Sequence, residues 1–343
     1  MPELDYLDGL QTRSDPSHSV ALRPGFRHVA ACVDSSALAR GVLAHAAAIA
    51  EAMGSRLTVM RVLEPSAVGQ TPPDPVEWDL RRREAQAQIA RLVAHAGDTA
   101  QIETCVVEGP AAERICQWAQ EHKVDLTVLG GCGESGWSEW GLGGTARKVA
   151  ESVSGSVMLV PATENGGDAI RYRRLMVPLD CSSRAECALP VAIRLAEAHK
   201  AEVLLIHAVP DVDLTEVGPL EAEDLDLRDR LRRRNERVAQ RYLNLIRARM
   251  PLTGTPTRIR LLPSNDPRHA LARVISDEEV DVIVLSSCGL SGHRDLPIGS
   301  TAEFLMTHTA TPILLVRGAA ARPPALRRSA AAPRLRMPGR TLS

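Results

Sequence analysis

The chain has 343 residues, of which 44% are hydrophobic and only 3% aromatic, with a formal net charge of −1. That length suits two domains of ordinary size, with cores of Ala, Val, Leu and Ile. A charge so near zero gives no general electrostatic case for nucleic acid or an anionic membrane. No apolar run approaches the roughly 20 residues that span a bilayer. The start, Met1-Pro-Glu-Leu-Asp5, lacks the basic-then-apolar pattern of a signal peptide. Seven cysteines without CxxC pairing read as reduced thiols, so the expected compartment is the cytoplasm.

Residues 1–25 are polar, broken by Pro and Gly, and expected to be flexible. A strand over 29–33 ends on Asp34. Apolar residues at helical spacing follow from Ser35 to Glu51, so Asp34 is a candidate helix N-cap as well as a candidate ligand. Next come a strand over 57–62, ending at Val62, a helix near 76–95 and a strand over 101–107. A helix then follows Gly109-Pro110, where proline suits a first turn. The buried strand 124–129 runs into Gly130-Gly-Cys-Gly133. Nine residues later Gly143, Gly144 and Thr145 open a helix, and 157–160 is another apolar strand.

From residue 175 the pattern starts again. A strand carrying Pro178 ends on Asp180, offset by 146 from Asp34, and a strand over 203–208, ending at Ala208, keeps that offset. A helix over 225–250, a strand over 257–262 and a helix after Asp266-Pro267 follow. The strand 280–285 runs into Ser286-Ser-Cys-Gly289. Gly299, Ser300 and Thr301 then open a helix, offset by 156 from the first copy, before the strand 313–316. The acidic run 211–223 is the expected home of the extra residues. The alternation implies two tandem α/β domains, 26–163 and 172–318, each a parallel sheet with helices on both faces, joined by a linker at 164–171. The Ala/Pro/Arg-rich tail 319–343 is expected to be disordered and basic.

Glycines at a strand end, followed by a helix opened by Gly-x-Thr, let the backbone approach a phosphate and point N–H groups at it. A tight turn is the duller reading of one such loop, and its repetition in register favours a binding role. Cys132 and Cys288 hold equivalent loop positions and read as small loop residues rather than reactive thiols. The run Arg232-Arg-Arg234 reads as a solvated helix face. No Walker lysine motif, metal-ligand cluster or nucleophile–base pair is legible, which favours binding over turnover.

These residues give the chain a resemblance to tandem members of the universal stress protein family, in its nucleotide-binding branch. The resemblance implies strand order 3-2-1-4-5 in each five-stranded sheet and ATP, with Mg²⁺, across the strand ends. It implies that Asp34 and Asp180 meet the ribose–adenine end and that Val62 and Ala208 offer backbone to adenine. Gly130, Gly133, Gly143, Gly144 and Thr145 would hold phosphates in copy one, and Ser286, Gly289, Gly299, Ser300 and Thr301 in copy two. Pro178 matches nucleotide-binding relatives, whereas copy one has Cys32 there. Copy one lacks a hydroxyl at Gly144, and a side chain at Ser286 crowds the ribose in copy two, so binding is expected in at least one half. The resemblance also implies an internal pseudo-dimer through the fifth strands, homodimerisation being a further option, and a protein partner in stress response or signalling. The alternatives are a slow ATPase or self-phosphorylating enzyme, and an interaction module with vestigial pockets.

Overall fold

A computed structural model describes residues 25–65, 74–95, 102–132, 141–162, 169–210, 222–250, 254–264, 266–289 and 297–318. Copy one contributes strands β1 (His28–Cys32), β2 (Arg56–Leu63), β3 (Ile102–Glu108), β4 (Leu126–Gly130) and β5 (Ser156–Val160). Its helices are α1 (Ala39–Met53), α2 (Pro75–His95), α3 (Ala111–Glu121) and α4 (Gly144–Ser152). Copy two contributes β6 (Arg174–Pro178), β7 (Glu202–Pro210), β8 (Thr257–Ser264), β9 (Val282–Ser286) and β10 (Ile313–Val316). A short 3₁₀ turn (Ala185–Ala188) precedes α5 (Leu189–His199), and α6 (Ala222–Arg249), α7 (Pro267–Asp277) and α8 (Ser300–His308) follow.

The strands form one ten-stranded sheet, ordered β3-β2-β1-β4-β5-β10-β9-β6-β7-β8, so each half has the order 3-2-1-4-5. Pairing is parallel except at the centre. There β5 and β10 run antiparallel, with Val157 opposite Leu315, Met158 opposite Leu314 and Leu159 opposite Ile313. Met158 and Leu314 are equivalent positions of the repeat, so a pseudo-two-fold axis passes between them. The fifth strands are thus not edges at all. Each half's apolar β5-type strand covers the other's.

Burial explains the composition of the strands. The central ones are enclosed on both faces and read as continuous apolar runs, whereas β3 and β8 lie at the edges and carry Glu103, Arg258 and Arg260. One face packs on α1, α2, α5 and α6 through residues such as Val42, Ile89, Leu195 and Leu243. The other packs on α3, α4, α7 and α8 through Ile115, Val149, Leu271 and Leu305. At the opposite end from the glycine loops, Asp125 accepts the N–H groups of Arg27 (2.8 Å) and His28 (3.0 Å). Asp281 does the same for Arg173 (2.6 Å) and Arg174 (2.8 Å). These carboxylates fasten the start of each first strand to its neighbour.

Several boundaries differ from the sequence reading. The first helix begins at Ala39 rather than beside Asp34. The helix expected from 225 begins at Ala222 and has 28 residues against 21 in α2, which absorbs part of the extra length of copy two. β8 runs on to Ser264, paired with Pro210. The linker core 163–168 and most of the acidic run, 211–221, lie outside the described residues, as do both chain ends.

Candidate functional site

Each site is built where the first and fourth strands of a half lie side by side and then part. β1 ends at Cys32, opposite Met60, and the Val33 N–H donates to the Met60 carbonyl (2.9 Å) before the chain turns off at Asp34. β2 continues. Successive peptide groups of a strand point to opposite edges, and the Leu63 carbonyl accepts the Gly109 N–H on the β3 side (3.0 Å). Val62, in step with Met60, therefore turns its N–H and C=O toward the edge that β1 has left. In copy two the Leu179 N–H donates to the Ile206 carbonyl (2.8 Å), and Ala208 repeats the arrangement. The Val62 and Ala208 side chains stay half-buried in the core. Pro178 is the last residue of β6, opposite Ile206.

Asp34 and Asp180 are held alike. Asp34 Oδ1 accepts from the Ser36 N–H (3.0 Å) and hydroxyl (2.5 Å), and Asp180 Oδ1 from those of Ser182 (3.0 and 2.6 Å). This is an Asx-type turn within the loop. Leu38, with no side-chain bond, holds the N-cap position of α1, so the N-cap reading of Asp34 is overturned. In copy two the Ser182 hydroxyl oxygen, not Asp180, accepts the Ala185 N–H (3.1 Å). The second oxygen of Asp180 lies over Gly289, where a Cβ would come within 2.1 Å of Oδ2. Two predicted site residues, remote in sequence, are thus in direct contact.

The neck of each glycine loop carries two fastenings. The Gly143 N–H donates to the Gly131 carbonyl (2.7 Å), and the Gly299 N–H to the Ser287 carbonyl (2.7 Å). The Cys132 thiol donates to the Gly141 carbonyl (3.8 Å), and the Cys288 thiol to the Pro297 carbonyl (3.9 Å). The cysteines therefore close the loop base, a role the sequence did not disclose. Burial pushes the Cys132 thiol up, opposite to what an activated thiolate needs. The loops are tied to the fifth strands as well, Gly131 N–H to the Val160 carbonyl (2.8 Å) and Ser287 N–H to that of Val316 (3.1 Å).

Directly after these necks the helices α4 and α8 begin. Gly143 and Gly299 hold their N-cap positions in nearly the same extended conformation (φ −65°, ψ 149° and φ −76°, ψ 154°), and neither supplies a side-chain cap. The first-turn N–H groups of such a helix point toward the loop and have no side-chain acceptor among the described residues, which is the arrangement an anion occupies. A Cβ on Gly144 would meet nothing within 4 Å. Ser300, its counterpart, is exposed, as is Thr145, while Thr301 is half-exposed. At Gly130 a Cβ would approach the Cys132 carbonyl to 3.0 Å, a tight fit. Copy two has Ser286 there, and its hydroxyl donates to the Cys288 carbonyl (2.8 Å) and so turns into its own loop rather than toward a sugar.

Gly133, Glu134, Glu139, His293, Arg294 and Asp295 lie outside the described residues. Of the charged side chains on α4 and α8, Arg147 and Glu303 bind each other (2.5 Å), and Arg147 also binds Glu151 (3.1 Å). A cleft of about 1090 Å³ opens beside Asp34, between residues 35–41, α2 and Ile170, Arg171 and Tyr172. It shares Asp34 with the strand-end site but none of the described glycine-loop residues.

A doubly wound parallel sheet, duplicated, with a glycine neck and a helix start lacking a side-chain cap at the carboxyl ends of the strands in each half, defines the class of protein. The model of the universal stress protein family matches residues 25–161 and 171–317, and the chain belongs to that family. It is similar to the universal stress protein in the QAH/OAS sulfhydrylase 3′ region of Thermus aquaticus, 31% identical over 147 residues, which are 43% of this chain and 99% of that one. Universal stress protein Rv2623 of Mycobacterium tuberculosis is 23% identical over 194 residues, 56% of this chain and 61% of its own. Among solved structures, a universal stress protein from Archaeoglobus fulgidus superposes with a TM-score of 0.61 at 16% identity, covering 86% of this chain and 98% of that one. A functionally unknown protein from Pseudomonas aeruginosa PAO1 gives 0.60 at 14% identity, covering 85% and 92%. At those identities the likeness is one of fold.

Proposed function

We propose that the chain is a stress-response protein that binds an adenine nucleotide, ATP foremost, at the strand ends of both halves, and that occupancy governs its binding to a protein partner. The observation that carries this reading is the uncapped start of α4 and of α8. Each sits above a closed glycine neck and beside a fixed carboxylate and the strand edge that the first strand of its half has left. Phosphates would lie against the N–H groups of Gly144 and Thr145 in one half and Ser300 and Thr301 in the other, with Gly143 and Gly299 bringing the backbone close while their own N–H groups close the necks. The ribose would reach Asp34 or Asp180, and the adenine edge the main chain of Val62 or Ala208. Gly130 and Gly133, or Ser286 and Gly289, would line the sugar and phosphate side of the loop. Residues 26–163 and 172–318 would be the two binding units. Among the described residues no three His, Cys, Asp or Glu side chains gather to hold a metal. Mg²⁺ would therefore arrive on the phosphates and keep several waters.

The test uses Gly144→Asp and Ser300→Asp with equilibrium dialysis against ATP and Mg²⁺. A carboxylate at a helix start interacts favourably with the helix dipole, and at Gly144 it enters open space, so each variant should keep its melting temperature. The same carboxylate occupies and repels the place of a phosphate. The expected stoichiometry is two ATP per chain in the unmodified protein, one in each variant and none in the double variant. Undiminished binding by a folded double variant would refute the site assignment.

A further inference from the structure

Arg317 is the first residue after β10. It belongs to copy two, yet its bonds are made in copy one. Its N–H donates to Ser156 Oγ (3.2 Å), the first residue of β5. Its guanidinium donates to the carbonyls of Ala150, Val153 and Gly155, at and just beyond the carboxyl end of α4. A cation on carbonyls at a helix carboxyl end is favoured by the helix dipole, and the fork of donors fixes where the helix ends. The other end of this nine-residue helix is the proposed phosphate position of copy one.

The preceding residue faces the second site. The Val316 carbonyl accepts the Ser287 N–H (3.1 Å) in the neck of the copy-two loop and also lies 3.7 Å from the Cys187 thiol. Two consecutive residues therefore hold one site's helix and the other site's loop. In the duplicate the position equivalent to Arg317 is Pro161, which has no N–H and no cation, so the Arg317 clasp has no counterpart in the other half. A second contact, of a different kind, joins the complementary pair of elements. Gly141, with φ +69°, rests so close to α8 that a Cβ would come within 2.8 Å of the Thr307 carbonyl. The base of loop one thus abuts the last turn of the helix whose first turn is the phosphate position of copy two.

We infer that Arg317 couples the two nucleotide sites, so that occupancy at the start of α4 alters the affinity of the Ser286-to-Gly289 loop through the Val316–Arg317 junction. This rests on the nucleotide reading given above. A rigid helix held at both ends transmits a small displacement, and a coupling of roughly fivefold or more in affinity is ordinary for such linked sites. Reciprocity then requires the same factor in the opposite direction.

The experiment measures the ATP dissociation constant of site two in the full chain by equilibrium dialysis. It compares site one open with site one blocked by Gly144→Asp, each in the Arg317 and Arg317→Gln backgrounds. Arg317→Lys, which keeps a cation but cannot fork across three carbonyls, is run in parallel in case the glutamine variant folds poorly. With Arg317 present, blocking site one should shift the site-two constant by about fivefold or more. In the glutamine or lysine background the shift should fall below about twofold, with two sites still occupied. A constant unmoved by the block, or a shift that survives both Arg317 variants, would overturn the coupling while leaving two independent sites. Absence of ATP from every variant would instead remove the sites themselves, and the coupling with them.

Discussion

At the scale of single residues, the tightest constraint among the described site residues is the contact of Asp180 with Gly289. The carboxylate cannot retreat freely, because Ser182 holds its other oxygen by two hydrogen bonds. Gly289→Ala should therefore displace Asp180 and lower stability by about 1–3 kcal/mol, the usual effect of overpacking. Asp180→Ala removes the obstacle, so the alanine at 289 should cost less than about 0.5 kcal/mol in that background. Urea midpoints of the two single variants and the double variant decide it, and additive losses would show that the two residues do not compete for the space. Asp34, Asp180 and the glycines were legible in the sequence because each is repeated in register. The thiol fastenings of Cys132 and Cys288 and the strand clasps of Asp125 and Asp281 are repeated just as faithfully. They escaped because the chemistry of an isolated thiol or carboxylate does not reveal which remote backbone group it will meet.

Among elements, the pseudo-two-fold axis turns small divergences between copies into complementarity. Arg147 on α4 and Glu303 on α8 are equivalent positions of the repeat and face each other across the axis at 2.5 Å. Two identical copies would set like charges there. The pair is about half exposed on each side, so its worth is modest, up to about 1 kcal/mol and less at high salt. Arg147→Glu should lower the urea midpoint at low salt, and Arg147→Glu with Glu303→Arg should restore most of the loss. A double exchange no more stable than the single one would refute the pairing. The alternation of strands and helices, and hence the fold class, followed from apolar periodicity alone. The order 3-2-1-4-5 and the joining of the fifth strands came from the family resemblance, since register between remote strands leaves no local trace. Helix starts were least legible. Asp34 has the chemistry of an N-cap, but Ser36 claims its carboxylate, and the helix waits until Ala39.

For the whole molecule, the two halves meet not only along β5 and β10 but also where α1 of copy one packs on α5 of copy two. Tyr172, fully buried beside the linker, lies between them. Its hydroxyl shares a hydrogen bond with His45 Nδ1 of α1 (2.8 Å), and its ring meets His199 of α5 edge-on, with centroids 4.8 Å apart. Burial lowers the His45 pKa to about 4, from 6.5. His199 is lowered too, chiefly by burial and also by Arg171, against opposing effects of Glu51 and the Ala48 backbone. Both imidazoles are therefore favoured as neutral groups in the fold, and the unfolded chain binds protons more readily than the native one as pH falls below about 6.5. Their contribution is fully present above that pH and drains away toward pH 4, with His45 accounting for roughly 3 kcal/mol at most. His28, lowered mainly by burial, acts in the same sense within copy one. The urea midpoint should thus fall between pH 7.5 and pH 5, and His45→Gln with His199→Phe should flatten that fall while leaving the part due to His28. An equally steep fall in the double variant would show that the junction of the two halves does not sense protons.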